Sequence, residues 1–154
     1  MTRRYSLIGS LPLLLVTTLA PKTLNGQGLQ FYNLTPCRAV DTRNVGFGGR
    51  VPGATVRSFQ IRGVCGVPTD AQTISLNVAA VAPTHGGFLL LWPAGGTYPG
   101  AVSNLNFNDG EVAIANGAIV PLGAGSPDLS LAYGAPLGPG DNVDVVIDVT
   151  GYFK

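Results

Sequence analysis

A stretch near the end of the chain, 142–153, alternates apolar and polar side chains with a period of two. One side of the stretch carries Val143, Val145, Ile147 and Val149, and the other side carries Asp144, Val146, Asp148 and Thr150. A period of two is that of a β-strand with one buried face. Such a strand needs paired neighbours and a second layer over its apolar face. The stretch therefore predicts a layered β protein in which the rest of the chain supplies the other strands.

The remaining chain has the pattern of short strands separated by turns. Alternating or apolar runs occur at 29–34, 55–62, 72–82, 88–92, 101–107, 112–122 and 129–133. The polar run 35–43 is predicted to follow a turn, and the glycine-rich run 44–54 is predicted to be a surface loop. The 22 glycines and 12 prolines are spread along the chain and interrupt every window long enough for an amphipathic helix. About nine strands at this spacing predict an all-β fold, an antiparallel β-sandwich of jelly-roll or immunoglobulin-like type, with a β-barrel as the alternative.

The first residues have the pattern of a secretory signal peptide. Arg3 and Arg4 precede an apolar run over 7–20, which is shorter than the roughly 20 residues needed to span a bilayer. We predict a signal peptide over 1–26, with cleavage between 20 and 28, and a single β-sandwich domain over 27–154. The expected location is the extracellular space or the cell surface, with no transmembrane span.

Charge is sparse in the predicted domain. Only 11% of all residues are charged, and from Gln27 onward six basic residues stand against eight acidic ones. A slightly negative domain offers no field that would attract the phosphates of a nucleic acid or an anionic membrane. Nucleic-acid binding is therefore excluded from the expected functions.

The chain has two cysteines, Cys37 and Cys65. In an exported protein an isolated pair predicts one disulfide, which loop entropy makes worth roughly 3–4 kcal/mol at this separation. Two cysteines and a single histidine, His85, cannot provide the four ligands of a structural zinc site. The sequence predicts a disulfide and no metal site.

No set of residues has the pattern of a catalytic centre. His85 is the only histidine, Glu111 is the only glutamate, and no serine lies in a Gly-x-Ser-x-Gly motif. Asp109 and Glu111 form a close acidic pair, but both fall at a predicted hairpin tip where acids are ordinarily solvated. We therefore predict no enzymatic activity and no cofactor.

Three charged residues stand close together just after the first cysteine, namely Arg38, Asp41 and Arg43. Asp148, on the acidic side of the 142–153 stretch, is placed to meet Arg38 or Arg43 if the two segments pair. We predict a structural ion-pair cluster of these four residues that fastens the early segment to the final strand. A ligand site built from the same residues is the alternative.

Trp92 and Tyr98 are the aromatic residues that we consider as a ligand-binding pair. Trp92 ends the apolar run 88–92, and Tyr98 lies in the predicted loop after it. Aromatic rings offer amphipathic faces on which sugars stack. Packing in the core or anchoring of a loop is the alternative role for both rings.

Several short motifs follow one another in a specific order. They are PCRAVDTR at 36–43, CGVP at 65–68, SLNV at 75–78, SNLNF at 103–107 and DVTGYF at 148–153. This order resembles a β-rich module of secreted and cell-surface proteins of bacteria, sometimes joined to hydrolases or other surface domains. The resemblance covers nearly all of 27–154, and it implies an accessory, adhesive or structural role without a known activity.

The expected function is that of an exported structural or interaction module at the cell surface or in the extracellular space. Self-assembly, as a homo-oligomer or filament, through unpaired sheet edges is one form of this role. Carbohydrate binding through Trp92 and Tyr98 is the alternative. The expected partners are other copies of the chain, other surface proteins or glycans.

Overall fold

The computed structural model describes residues 28–100, 102–134 and 140–154, and these residues form nine β-strands and no helix. The strands are β1 (Phe31–Asp41), β2 (Val51–Pro52), β3 (Val56–Phe59), β4 (Thr73–Val81), β5 (Gly87–Pro93), β6 (Leu105–Phe107), β7 (Ala113–Pro121), β8 (Leu129–Gly134) and β9 (Asn142–Phe153). The predicted signal peptide, 1–26, lies outside the described residues. Within the described residues, no helix has the length and apolarity that crossing a bilayer demands.

The strands form two antiparallel sheets. One sheet has the order β1-β9-β4-β7, with β2 also paired to β9, and the other has the order β3-β8-β5-β6. The pairing is nested: β1 with β9, β3 with β8, β4 with β7 and β5 with β6. This nesting is the arrangement of a jelly roll. The predicted β-sandwich is therefore confirmed, and the alternative of a closed barrel is wrong because the two sheets stay separate.

The core lies between the sheets and is built from alternate positions of the longest strands. In β4, Ile74, Leu76, Val78 and Ala80 are buried, and the residues between them are half-exposed. β9 buries the apolar face predicted from its alternation, and β8 is buried over nearly its whole length. Side chains of the two inner faces fill the space between the sheets, as in other sandwiches.

β9 is an inner strand of the five-stranded sheet, with β1 on one side and β4 on the other. Its register places Asp148 opposite Arg38 of β1 and opposite Asn77 of β4. The outward face of β9 is therefore the place where charged side chains from the early part of the chain meet the final strand.

β1 is longer than the sequence predicted. The run 35–43 was predicted to follow a turn, but the strand continues to Asp41. Two register shifts, between Asn33 and Cys37 and between Arg38 and Val40, allow this. The proline at 36 falls within the first shift, where a residue that cannot donate to the ladder is tolerated.

The predicted disulfide is confirmed. Cys37 of β1 and Cys65 are bonded at 2.03 Å, with a sequence separation of 28 residues. Cys65 lies in a turn closed by a hydrogen bond from Gly63 N to Val67 O at 2.8 Å. Cys37 lies opposite the core residue Val149, so the disulfide holds this turn against the inner face of β1.

Gly151 of β9 is covered by an aromatic ring from β1. A Cβ atom at this position would lie 2.4 Å from the ring of Phe31 and 2.8 Å from the carbonyl oxygen of Tyr32. The rings of Phe31 and Phe153 are 5.0 Å apart, and those of Tyr32 and Tyr152 are stacked at 5.1 Å. A glycine is required here because the aromatic side chain occupies the space of a side chain on β9.

Candidate functional site

The four charged residues predicted as a cluster lie together: Arg38 and Asp41 on β1, Arg43 just after it, and Asp148 on β9. Arg38 donates to Asp148 through two nitrogens, from Nε to Oδ1 at 2.9 Å and from Nη2 to Oδ2 at 3.2 Å. Its Nη1 also lies 3.5 Å from Oδ2 of Asp41. The structure thus pairs Asp148 with Arg38, and a two-point contact of this kind fixes both position and orientation.

Asp41 is the buried centre of the cluster. It accepts from Nε of Arg43 at 2.8 Å, from Nη2 at 2.7 Å and from the Arg43 backbone N at 3.2 Å. These side-chain hydrogen bonds lower the pKa of Asp41 to about 2, against the opposing effect of burial. The Arg38–Asp148 pair therefore joins β1 to β9, and the Arg43–Asp41 pair fixes the chain just after β1.

Sequence reasoning missed two polar contacts that extend this pattern. Thr42 Oγ1 donates to Asp144 at 3.1 Å and accepts from Val145 N at 2.9 Å. Asp128 is fully buried and accepts from the backbone N of Ile61 at 2.8 Å and of Arg62 at 2.9 Å. Neither residue has a local sequence signal, because its partners lie more than sixty residues away.

The turn with the only histidine contains a His–Asp pair. His85 Nδ1 lies 2.6 Å from Oδ1 of Asp141, and Thr84 Oγ1 donates to the same oxygen at 3.2 Å. Tyr133 donates its hydroxyl to the carbonyl of His85 at 2.6 Å, and burial raises the pKa of this tyrosine. Thr84 Oγ1 also lies 3.3 Å from Asn142 O, so these contacts join the turn at 84–85 to the start of β9.

The two aromatic residues predicted as a ligand-binding pair lie on the outer face of the four-stranded sheet. Their rings meet edge to face at 5.4 Å, and Trp92 Nε1 donates to Gly96 O at 3.3 Å. Trp92 is only 5% exposed, whereas Tyr98 is 47% exposed. For Trp92 the structure therefore shows the alternative role, packing beneath its own loop.

Tyr98 borders a groove of about 570 Å³ on the same face. The groove is also lined by Val56, Phe88, Ala132 and Gly134, and none of its lining residues in the described part of the chain is charged. A sugar site usually combines a stacking ring with several hydrogen-bonding groups, and this groove is predominantly apolar. Of the predicted pair, Tyr98 is the exposed ring and the one that lines this groove.

β7 is the second edge of the five-stranded sheet and is the most exposed of the long strands. It pairs with β4 over nine successive residue pairs, from Thr73 with Pro121 to Val81 with Ala113, without a bulge. No described strand pairs with its other side. Ile119 is 64% exposed. The sequence prediction of a strand over 112–122 is confirmed, but its exposed edge position was not predicted.

The direction of the backbone groups of β7 follows from the hydrogen bonds at its two ends. Val112 O accepts from Ala82 N at 2.9 Å, and Leu122 N donates to Gln72 O at 2.8 Å. N–H and C=O groups alternate in direction along a regular antiparallel strand, so the even-numbered residues of β7 are bonded to β4. The odd-numbered residues direct their groups outward. Within the described residues, no acceptor is found for the N–H groups of Ala113, Ala115, Gly117 and Ile119.

Nothing on β7 protects this free edge. Proteins usually protect edge strands with charged side chains, prolines, bulges or short length. β7 has no charged residue and no register shift, and its only proline, Pro121, is its last residue. Asn116 Nδ2 donates to Asn104 O at 2.7 Å and ties β7 to the other sheet, without using the backbone of the free side.

β1, at the opposite edge of the same sheet, is interrupted by two register shifts, and the edges of the four-stranded sheet are short. β3 has four residues and β6 has three. Arg57 of β3 donates to the carbonyl groups of Phe47, Gly49 and Arg50, and so holds the glycine-rich loop beside the β3 edge. Among the described strands, β7 is therefore the long, regular and uncovered edge.

No family model and no curated protein matches this chain. In the part of the chain that the structure describes, no group of three or more His, Cys, Asp or Glu side chains is arranged to hold a metal ion. The candidate site is therefore defined by geometry, as the free edge of β7.

Proposed function

We propose that the protein is an exported structural module that binds protein chains at the β7 edge by strand addition. The observation behind this proposal is a nine-residue strand that is fully paired on one side and unpaired on the other. In strand addition, main-chain hydrogen bonds from the incoming strand complete the ladder and supply affinity. Nine residues of extended strand measure about 30 Å, which is enough for a specific contact.

The side chains along β7 favour the approach of a second strand. Ala113, Ala115 and Gly117 are small and exposed, so they do not obstruct a neighbour in the plane of the sheet. Pairing would remove part of the exposed Ile119 side chain from water, and this burial of apolar surface would stabilise a complex. The disulfide between Cys37 and Cys65 supports an extracellular location, because disulfides persist in oxidising compartments.

The charged cluster of Arg38, Asp41, Arg43 and Asp148 supports a structural role for the β1 edge. Arg38 and Arg43 already bind Asp148 and Asp41, so the cluster holds β1 in place and leaves β7 as the edge for partners. On this proposal, the β1 edge of the five-stranded sheet has a structural role and the β7 edge binds partners.

Carbohydrate binding is the second candidate, favoured by the exposed ring of Tyr98 at the rim of the groove. Aromatic faces of this kind stack on sugar rings. Titration with soluble oligosaccharides, followed by nuclear magnetic resonance, tests it. Shifts confined to Tyr98 and Phe88 that disappear in Tyr98→Ala would support this candidate.

Strand addition is tested with a peptide of sequence 113–121 of the chain itself, labelled with a fluorophore. We expect the peptide to bind the protein and to shift the amide signals of Ala115, Gly117 and Ile119. The double variant Ala115→Lys/Ile119→Lys should lose binding, because charges on an edge strand block pairing. Val45→Lys is the matched control, since Val45 is fully exposed in the loop before β2. Equal binding by both variants would contradict the proposal.

A further inference from the structure

We propose that the strand received at the β7 edge is β7 of a second copy of this chain, paired antiparallel about a two-fold axis. The two five-stranded sheets would then join into one continuous sheet. This inference rests on the proposed function, because it names the partner of the same edge.

The free backbone groups of β7 are complementary to themselves. Antiparallel pairing sets outward-directed residues of one strand opposite outward-directed residues of the other. In β7 the outward-directed residues are all odd-numbered. A two-fold axis through Asn116 or Gly117 sets each odd-numbered residue of one copy opposite an odd-numbered residue of the other. With the axis at Gly117, Ala115 of one copy lies opposite Ile119 of the other. Either centre gives each of the four free N–H groups a carbonyl acceptor.

Charge permits this pairing. A two-fold contact places each region against its own counterpart, so a charge near the axis would face its like. β7 has no charged residue between Ala113 and Pro121. The nearest acid, Glu111, falls beyond the strand and opposite Pro121 or Gly123 of the second copy, not opposite another Glu111.

Side-chain size also permits it. On the outward face, Ile119 would lie opposite Ala113 or Ala115 of the second copy, depending on the centre of the axis. A large apolar side chain beside a small one fills the space across the junction without a clash. Ile119, which is 64% exposed in the single chain, would be covered by this contact.

The same geometry makes the assembly close at two copies. A filament needs a second open edge that accepts β7 of the next copy. β1 is interrupted by two register shifts and an internal proline, while β3 and β6 are short. Pairing of β7 with β7 uses the long open edge of both copies and leaves none for growth.

The experiment combines sedimentation equilibrium with spin labels on β4, one strand behind the junction. Labels are attached at Asn77→Cys and, separately, at Val81→Cys; Asn77 lies opposite Gly117 near the axis, and Val81 lies opposite Ala113 at its end. We expect a monomer–dimer equilibrium, with Val81 labels roughly 10–15 Å farther apart than Asn77 labels, from about 3.4 Å per residue along the strand. In the Ala115→Lys/Ile119→Lys background we expect no dimer, so neither distance between labels should be detected.

Each other outcome is decisive. Equal distances at the two positions would show parallel pairing and overturn the inference, as would filaments or larger species. A monomer at millimolar concentration that still binds the 113–121 peptide would overturn the inference and leave the proposed function standing. A monomer that binds no peptide would overturn both.

Discussion

β1 and β7 are the two outer strands of one sheet, and they differ in nearly every property that governs pairing. β1 has two register shifts, an internal proline, a disulfide to the turn at Cys65 and an ion-pair cluster that ties it to β9. β7 has an unbroken register, no charge and no covering segment among the described residues. Both strands have an inner neighbour, so the contrast lies in their free sides.

The contrast shows that features which hinder strand pairing can be present at one edge of a sheet and absent from the other. Exposed edges promote association, and proteins ordinarily suppress them. Here the devices that suppress pairing are concentrated on β1, while β7 has the regularity and small side chains that favour it. We interpret the unprotected edge as a binding site for this reason.

The largest effect on the β1 side is expected from the disulfide. The double variant Cys37→Ser/Cys65→Ser should lower the free energy of unfolding by roughly 3–4 kcal/mol, because the unfolded chain regains the entropy of an open loop. Urea denaturation measures the change. Association through β7 should persist wherever the variant is folded; if it were lost in the folded protein, the two edges would not be independent.

Two glycine substitutions compare the packing of β1 against β9 with the packing of β7. Gly151→Ala should destabilise the fold by about 1–3 kcal/mol, because the new Cβ would overlap the ring of Phe31 and the carbonyl of Tyr32. Gly117→Ala should change stability by no more than about 0.5–1 kcal/mol, in the stabilising direction, because the nearest atom to its Cβ is Leu76 O at 4.0 Å. If the two variants lost the same amount of stability in thermal denaturation, the difference in packing at the two glycines would be contradicted.

The pH dependence of stability should report on Asp41. Its pKa in the folded protein is lowered to about 2 from 3.8, so its contribution is present above about pH 4 and is lost as the pH falls towards 2. Asp41→Asn should therefore flatten the loss of stability between pH 4 and pH 2. Urea midpoints measured across this range would refute the assignment if wild type and variant lost stability in parallel.

A smaller effect than that of the disulfide is expected from Arg43→Ala. This change removes two side-chain donors from the buried Asp41 carboxylate and should lower the melting temperature by a few degrees. Arg43→Lys should recover only part of the loss, because one ammonium group cannot reproduce the two-point contact. An unchanged melting temperature for Arg43→Ala would show that the cluster does not stabilise the β1 side.

Features with a strong local pattern were predictable from the sequence. The alternation of β4 and β9 gives their buried faces directly, since side chains of a strand alternate between its two sides. The paired cysteines gave the disulfide, and the scarcity of charge pointed to Arg38, Asp41, Arg43 and Asp148 as partners. In each case the information lies within a few residues or in a small set of possible partners.

Features that depend on strand order could not be predicted in this way. β5 and β7 both have apolar patterns, yet β5 lies between two strands and β7 lies at an edge. The bulges that extend β1, the burial of Trp92 and the burial of Asp128 likewise depend on segments far apart in the chain. Periodicity reveals the two faces of a strand, but only the topology shows which strand has a free side.

Residue-resolved amide hydrogen exchange along β7, measured at several protein concentrations, tests the open edge most directly. In dilute protein the amides of Ile114 and Ala118, bonded to β4, should be protected, while those of Ala115, Gly117 and Ile119 exchange freely. At high concentration these three should become protected, and they should not do so in Ala115→Lys/Ile119→Lys. Protection of the three amides at every dilution, or fast exchange at every concentration, would contradict an open edge that receives a second strand.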